Sequence, residues 1–172
     1  MKAYMTLGTR DFLEKLVDKH PDLGLYLMGQ GTGTLAYYEN QRKNVFASGK
    51  EYEVISQNGE IQDEGYVVMN NIPVLEDSRD SFEQRFKQRQ HGVDSMPGFQ
   101  AFRFLRPLKD KTYVVMTQWR SKEDFENWKN SEQFKNAHKN QDSKPPAYFA
   151  DRPFITSYHM KKEDDEEGND DQ

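Results

Sequence analysis

The sequence predicts an α+β protein built as two strand-and-helix halves packed into a barrel within one chain. Three observations predict it. Strand and helix patterns alternate from end to end. From Gly65 to Phe154 and beyond they run strand, helix, hairpin, helix, strand. The residues before Gly65 give a partial copy of that order: strand, helix, hairpin and an ambiguous remainder. No identity between the halves is detectable, so the repeat is inferred from the order of elements.

The first half opens with a strand from Lys2 to Leu7. A helix follows from Thr9, with Phe12, Leu13, Leu16 and Val17 as its apolar stripe, and it stops before Pro21. A strand from Leu25 to Met28 leads into Gly29–Gly33, GQGTG, and the chain returns as a strand from Thr34 to Glu39. A glycine-rich loop cradles phosphate when a helix follows it. Here the alternating TLAYYE follows, which makes GQGTG a hairpin turn. Val45 to Ala47 is expected as a short third strand, and residues 49–62 fit either helix or strand.

In the second half, YVVMNNIPV (66–74) is a strand, and residues 78–90 form a helix with Ser78 as N-cap and Phe82 and Phe86 on one face. Pro97-Gly98 is a turn. Phe99–Leu105 and Thr112–Trp119 form a hairpin, and Ser121 caps a second helix that breaks or is re-capped at Asn130-Ser131. Residues 141–148, with two prolines, are loop, and residues 154–160 are the closing strand. This β-α-β-β-α-β order is ferredoxin-like. The organisation is therefore 1–64 as an N-terminal αβ half, 65–160 as the ferredoxin-like half, and 161–172 as a disordered acidic tail.

Composition narrows the chemistry. The chain has 172 residues, no cysteine and a net charge of −5. Residues 161–172 hold two lysines and seven acids, which leaves the rest neutral with 22 bases and 22 acids. There is no basic footprint for nucleic acid. The absence of cysteine removes disulfides, thiolate metal sites and cysteine nucleophiles, and it fits a reducing compartment such as the cytoplasm. The N-terminus has no apolar run of signal-peptide or membrane-span length. Eleven Phe and nine Tyr supply material for an aromatic core or a pocket for a flat ligand. No GxSxG or HExxH motif occurs.

Three residues stand out. Asn70 shares a strand face with Tyr66, Val68, Ile72 and Val74, the expected buried face. Its amide either bonds to nearby backbone, the reading the strand alone favours, or is aimed into a pocket. His138 follows Phe134 by one helical turn, beside the small Ala137. A lone imidazole is too little for zinc but enough for the proximal ligand of haem iron; it also fits a surface or capping role. Trp128 lies ten positions earlier, roughly 80° away around an ideal helix, and fits core packing as well as a pocket wall. Trp119, His20, His91 and His159 have structural readings only.

The stretches VMNNIPV, RFKQRQHGVDSMPGFQAFRFLRP and VVMTQWRSKEDFENWKNSEQFKNAHK, from Val68 to Lys139, resemble the antibiotic-biosynthesis-monooxygenase superfamily, and within it the Isd-type haem-degrading monooxygenases. The strand Asn and the W-x9-H spacing carry the closer likeness. The length of the chain resembles the long, HmoB-type members, and more distantly the TRAP-like regulatory proteins. The resemblance implies that His138 is the axial ligand of haem iron, that Trp128 presses the macrocycle out of plane, that Asn70 donates a hydrogen bond on the distal side, and that Phe134 contacts the ring. It implies O2-dependent ring opening with iron release, with haem as substrate and cofactor and an external electron donor, either a reductase or a small reductant. It also implies a monomer whose internal barrel replaces a dimer. A non-catalytic haem-binding or TRAP-type regulatory role, and a barrel monooxygenase acting on another polycyclic aromatic, are the alternatives.

Overall fold

The computed structural model describes residues 1–31, 33–40, 44–88, 92–132, 134–135 and 149–160. Its strands are β1 (Lys2–Gly8), β2 (Tyr26–Gln30), β3 (Gly33–Asn40), β4 (Lys50–Gly59), β5 (Gly65–Pro73), β6 (Phe99–Pro107), β7 (Thr112–Trp119) and β8 (Phe154–Met160). Its helices are α1 (Arg10–Lys19), α2 (Arg79–Gln88) and α3 (Lys122–Lys129). The strands close into an antiparallel barrel in the order β1-β3-β2-β8-β5-β7-β6-β4. Read from β4, the ring is β4-β1-β3-β2 followed by β8-β5-β7-β6. Each run places a fourth strand beside the first and the third beside the second, so each is a ferredoxin-like sheet. Residues 49–62, ambiguous in sequence, supply the strand β4. It joins β6 from Tyr52↔Pro107 to Gly59↔Ala101, with an irregularity between Val54 and Ser56.

The barrel sorts side chains by alternation. Met5, Met28, Tyr37, Tyr52, Met69, Met116 and Tyr158 fill the interior. Near one end this apolar core gives way to an ion pair: Arg103 Nε donates to Glu39 Oε2 at 2.7 Å, and Arg103 Nη1 donates to the carbonyls of Asn58, Gly59 and Phe102. Tyr37 donates its hydroxyl to the same carboxylate. Outside the barrel, α2 and α3 cover β5, β6 and β7 through a second cluster that includes Val68, Phe82, Phe104, Trp119 and Trp128. α1 covers the first half through Leu13, packed with Tyr4, Ala36 and Tyr38.

Several expectations need correction. β5 is buried on both faces, because Val67 and Met69 enter the barrel while Val68 and Ile72 meet the helices. Phe12 is 56% exposed, and only Leu13 of the α1 stripe is fully buried. Val45–Ala47 is not a strand. Asn44 Oδ1 accepts from Phe46 N, and Val45 N–H donates to the Tyr38 hydroxyl, so side chains take the hydrogen bonds a ladder would have used. β2 begins at Tyr26, one residue late, after Gly24 in the left-handed region. Ser78 ends a 3₁₀ turn (Glu76–Ser78) from which α2 continues directly, in place of capping α2. The cap at Ser121 forms as expected, and Thr9, expected as the start of the first helix, is instead the N-cap of α1. The acidic tail, residues 141–148 and His91 lie outside the described residues.

Candidate functional site

The helix layer over the second half leaves a cavity of about 320 Å³. Its floor is the outer face of the sheet: Val68, Asn70 and Ile72 from β5, Phe102 from β6, Val115 and Thr117 from β7, and Ile155 from β8. Phe82 and Phe86 of α2 form one wall, and Phe125 and Trp128 of α3 another. Phe134, Phe149 and Pro153 complete the lining. Arg85 and Lys129 line it as well, and both are exposed, so the rim carries positive charge above an aromatic interior.

α2 is held by a buried acid. Glu83 accepts from Arg106 Nε at 2.8 Å and Nη2 at 2.7 Å, and it accepts the Tyr113 hydroxyl. Arg79 reaches the same hydroxyl and lies over the Tyr113 ring. Burial pushes the Glu83 carboxyl up, but the Arg106 fork and the Tyr113 hydroxyl outweigh it and hold the group below its ordinary value. Burial, and then the bond to Glu83, push the Tyr113 phenol up to about 12. A depressed carboxyl stabilises the fold above the ordinary carboxylate range, and that stabilisation is lost as pH falls below it. Thermal melts between pH 7 and about pH 3 are therefore expected to fall more steeply for the native chain than for Glu83→Gln, which has no charge to lose. Parallel curves would refute this.

α3 starts at Ser121, whose Oγ accepts from Asp124 N, while Asp124 lies against Gly98 of the Pro97-Gly98 turn. Gly98 has φ +83, and a side chain there would collide with the Asp124 carboxylate. Four residues on, Trp128 is 5% exposed. Trp119 backs it at 6.3 Å, and Phe134 meets it edge-on at 5.4 Å. The helix breaks after Lys129 and is re-capped. Ser131 Oγ donates to the Trp128 carbonyl and accepts from Phe134 N, which sets the Phe134 ring against the indole.

The adjacent asparagines differ. The Asn71 amide donates to Met69 O, Phe154 O and Thr156 Oγ1, a structural arrangement. Asn70 faces the cavity, and no described residue hydrogen-bonds its side chain. Backbone bonding, the reading favoured by the strand alone, does not hold. The cavity thus brings together Asn70, Trp128 and Phe134. His138 lies outside the described residues, three positions after Lys135 in sequence. Sequence reasoning missed Thr117, although its alternation with Val115 and Trp119 on YVVMTQW signals a shared face. It also missed Arg85, Lys129, Phe149 and Pro153, for which the sequence carries no such signal.

Residues 65–140 match the antibiotic biosynthesis monooxygenase family, an ABM domain of ferredoxin-like fold that takes in β5, α2, β6, β7 and α3. Among similar proteins are a signal transduction protein TRAP of Staphylococcus aureus, 27% identical over 78% of this chain and 80% of its own, and a heme-degrading monooxygenase of Listeria monocytogenes, 25% identical over 76% and 78%. Similar folds include that of a major regulator of staphylococcal pathogenesis, with TM-score 0.81 at 24% identity over 94% of this chain and all of that one. Another is LmHde, a heme-degrading enzyme from Listeria monocytogenes, with TM-score 0.71 at 22% identity and the same coverage. Among the described residues, no helix is long and apolar enough to cross a membrane.

Proposed function

We propose that this chain is a haem-degrading monooxygenase that opens the porphyrin ring with O2 and external electrons and releases the iron. One observation carries the reading: the Asn70 amide, which no described residue hydrogen-bonds, faces a largely apolar cavity walled by a buried indole. The lining fits the group. Aromatic and aliphatic walls suit the faces of a macrocycle, and the cations Arg85 and Lys129 at the rim suit its two carboxylates.

Haem supplies the iron at which oxygen is reduced and the ring that is oxidised, so it is substrate and cofactor at once. The chain supplies the geometry. His138 would hold the haem iron through its imidazole, a single protein ligand being enough for that group. Trp128 is backed by Trp119 and met at its edge by Phe134, so it would press on a flat ligand in the cavity, and distortion is one of the levers a protein has on haem. The Asn70 amide donates on the distal side and, being uncharged, orients its partner without protonating it. The division at residue 65 puts the whole site in the second half, in a monomer whose own first half closes the barrel. We place the cysteine-free chain in the cytoplasm, where reductants are available.

The test is a hemin titration followed by reductant in air. A Soret shift on binding, then loss of the band with release of chelatable iron, is expected. A Soret band that persists under reductant and oxygen overturns the proposal. Asn70→Ala is expected to keep haem and slow turnover by about a hundredfold, the lower end of the usual cost of one lost preorganised donor. The likeness to TRAP proteins favours a second reading, a non-catalytic regulator. That reading predicts binding without ring opening, or no binding.

A further inference from the structure

We infer that Thr117 is a second polar contact for the distal occupant of this cavity, its hydroxyl aimed and polarised by Trp119; this deepens the haem reading and rests on it. Trp119 Nε1 donates to Thr117 Oγ1 at 2.9 Å. An indole only donates, so the threonine oxygen must be the acceptor, and its own proton is left to give elsewhere. No described residue takes it, and Thr117 lines the cavity. On the β5–β7 ladder Val68 faces Thr117 and Asn70 faces Val115. The Thr117 hydroxyl and the Asn70 amide therefore stand on one face as diagonal neighbours, a relation that spans about 7–8 Å in antiparallel sheets. These are the polar side chains of a floor otherwise made of Val68, Ile72, Phe102, Val115 and Ile155.

A donor that is already accepting a hydrogen bond is a stronger donor, and the low-dielectric surroundings enlarge the effect. Trp119 has a second tie to the site, because its ring backs Trp128. One buried indole thus positions both the wall that bears on the ligand and the hydroxyl that meets it. From sequence Trp119 has only a packing role; its N–H gives it a positioning one.

The experiment uses the hemin-loaded full chain with cyanide on the ferric form and carbon monoxide on the ferrous form as probes. Thr117→Val keeps the shape and loses the hydroxyl, Thr117→Ser restores it, and Trp119→Phe keeps an aromatic backing and loses the indole N–H. Thr117→Val is expected to bind hemin with the native Soret band, to bind cyanide about three- to tenfold more weakly, the worth of one hydrogen bond, and to shift the C–O stretch. Thr117→Ser should return both readouts to native values, and Trp119→Phe should fall between. Native cyanide affinity and an unshifted C–O stretch in Thr117→Val overturn this inference and leave the haem reading standing. Failure of the native chain to bind hemin overturns the haem reading and takes this inference with it.

Discussion

His138→Ala is expected to lower hemin affinity by about a hundredfold or more, since even the partners that merely orient metal ligands cost tenfold to a hundredfold when removed. The expectation is this large because the described residues offer no substitute. No histidine among them lines the cavity; His159 is exposed on β8 and sits against Tyr66 at 5.0 Å. On the proposed reading one imidazole is the protein's whole contribution to the iron, and its removal would leave only dispersion from the aromatic walls and attraction from the rim cations. Added free imidazole should restore the Soret band of the variant. Unchanged affinity and spectrum would take the ligand role from His138. Turnover of another polycyclic aromatic that survives the substitution would favour a barrel monooxygenase that uses no haem.

Glu39→Leu is expected to destabilise the fold by about 3 kcal/mol, measured by urea denaturation. Arg103 is 4% exposed inside the barrel and cannot shed its charge. Without Glu39 it keeps three backbone carbonyls and loses its counter-charge, while the Tyr37 hydroxyl loses its acceptor. The loss comes from the charge left behind. Accordingly, adding Arg103→Met to Glu39→Leu should recover most of the stability, since an apolar pair of similar volume is often as good as a buried ion pair. A single variant within about 0.5 kcal/mol of native, the usual range for surface substitutions, would show that water reaches the pair.

Elements governed by short-range rules were legible in the sequence. Ser121 caps its helix because a hydroxyl three residues ahead of a free N–H is a local matter. Alternation placed Asn70 on a face with Val68 and Ile72, and the cavity floor has all three. Whether that amide is bonded was not legible. The neighbouring Asn71 is satisfied by Phe154 and Thr156, more than eighty positions along the chain, and alternation alone cannot say which of two adjacent amides meets them. Val45–Ala47 misled because its apolar letters serve packing on Tyr38 and not a ladder. Phe12 misled because the apolar stripe of α1 is wider than the surface that covers it. The role of Thr117 depends on an indole two residues away on the same strand, a relation visible in the letters only once the ring's direction is known.

The twin sheets are covered differently. Over the first half, Phe46 rests edge-on against Tyr38 at 5.3 Å, and Tyr38 stacks on Tyr4 at 4.8 Å, so aromatic rings pack directly on that outer face. On the proposed reading, the polypeptide offers its ligand the berth over the second sheet. A symmetric assembly would have to satisfy every substitution twice. In this barrel β5–β8 carry the cavity floor, while β1–β4 complete the ring.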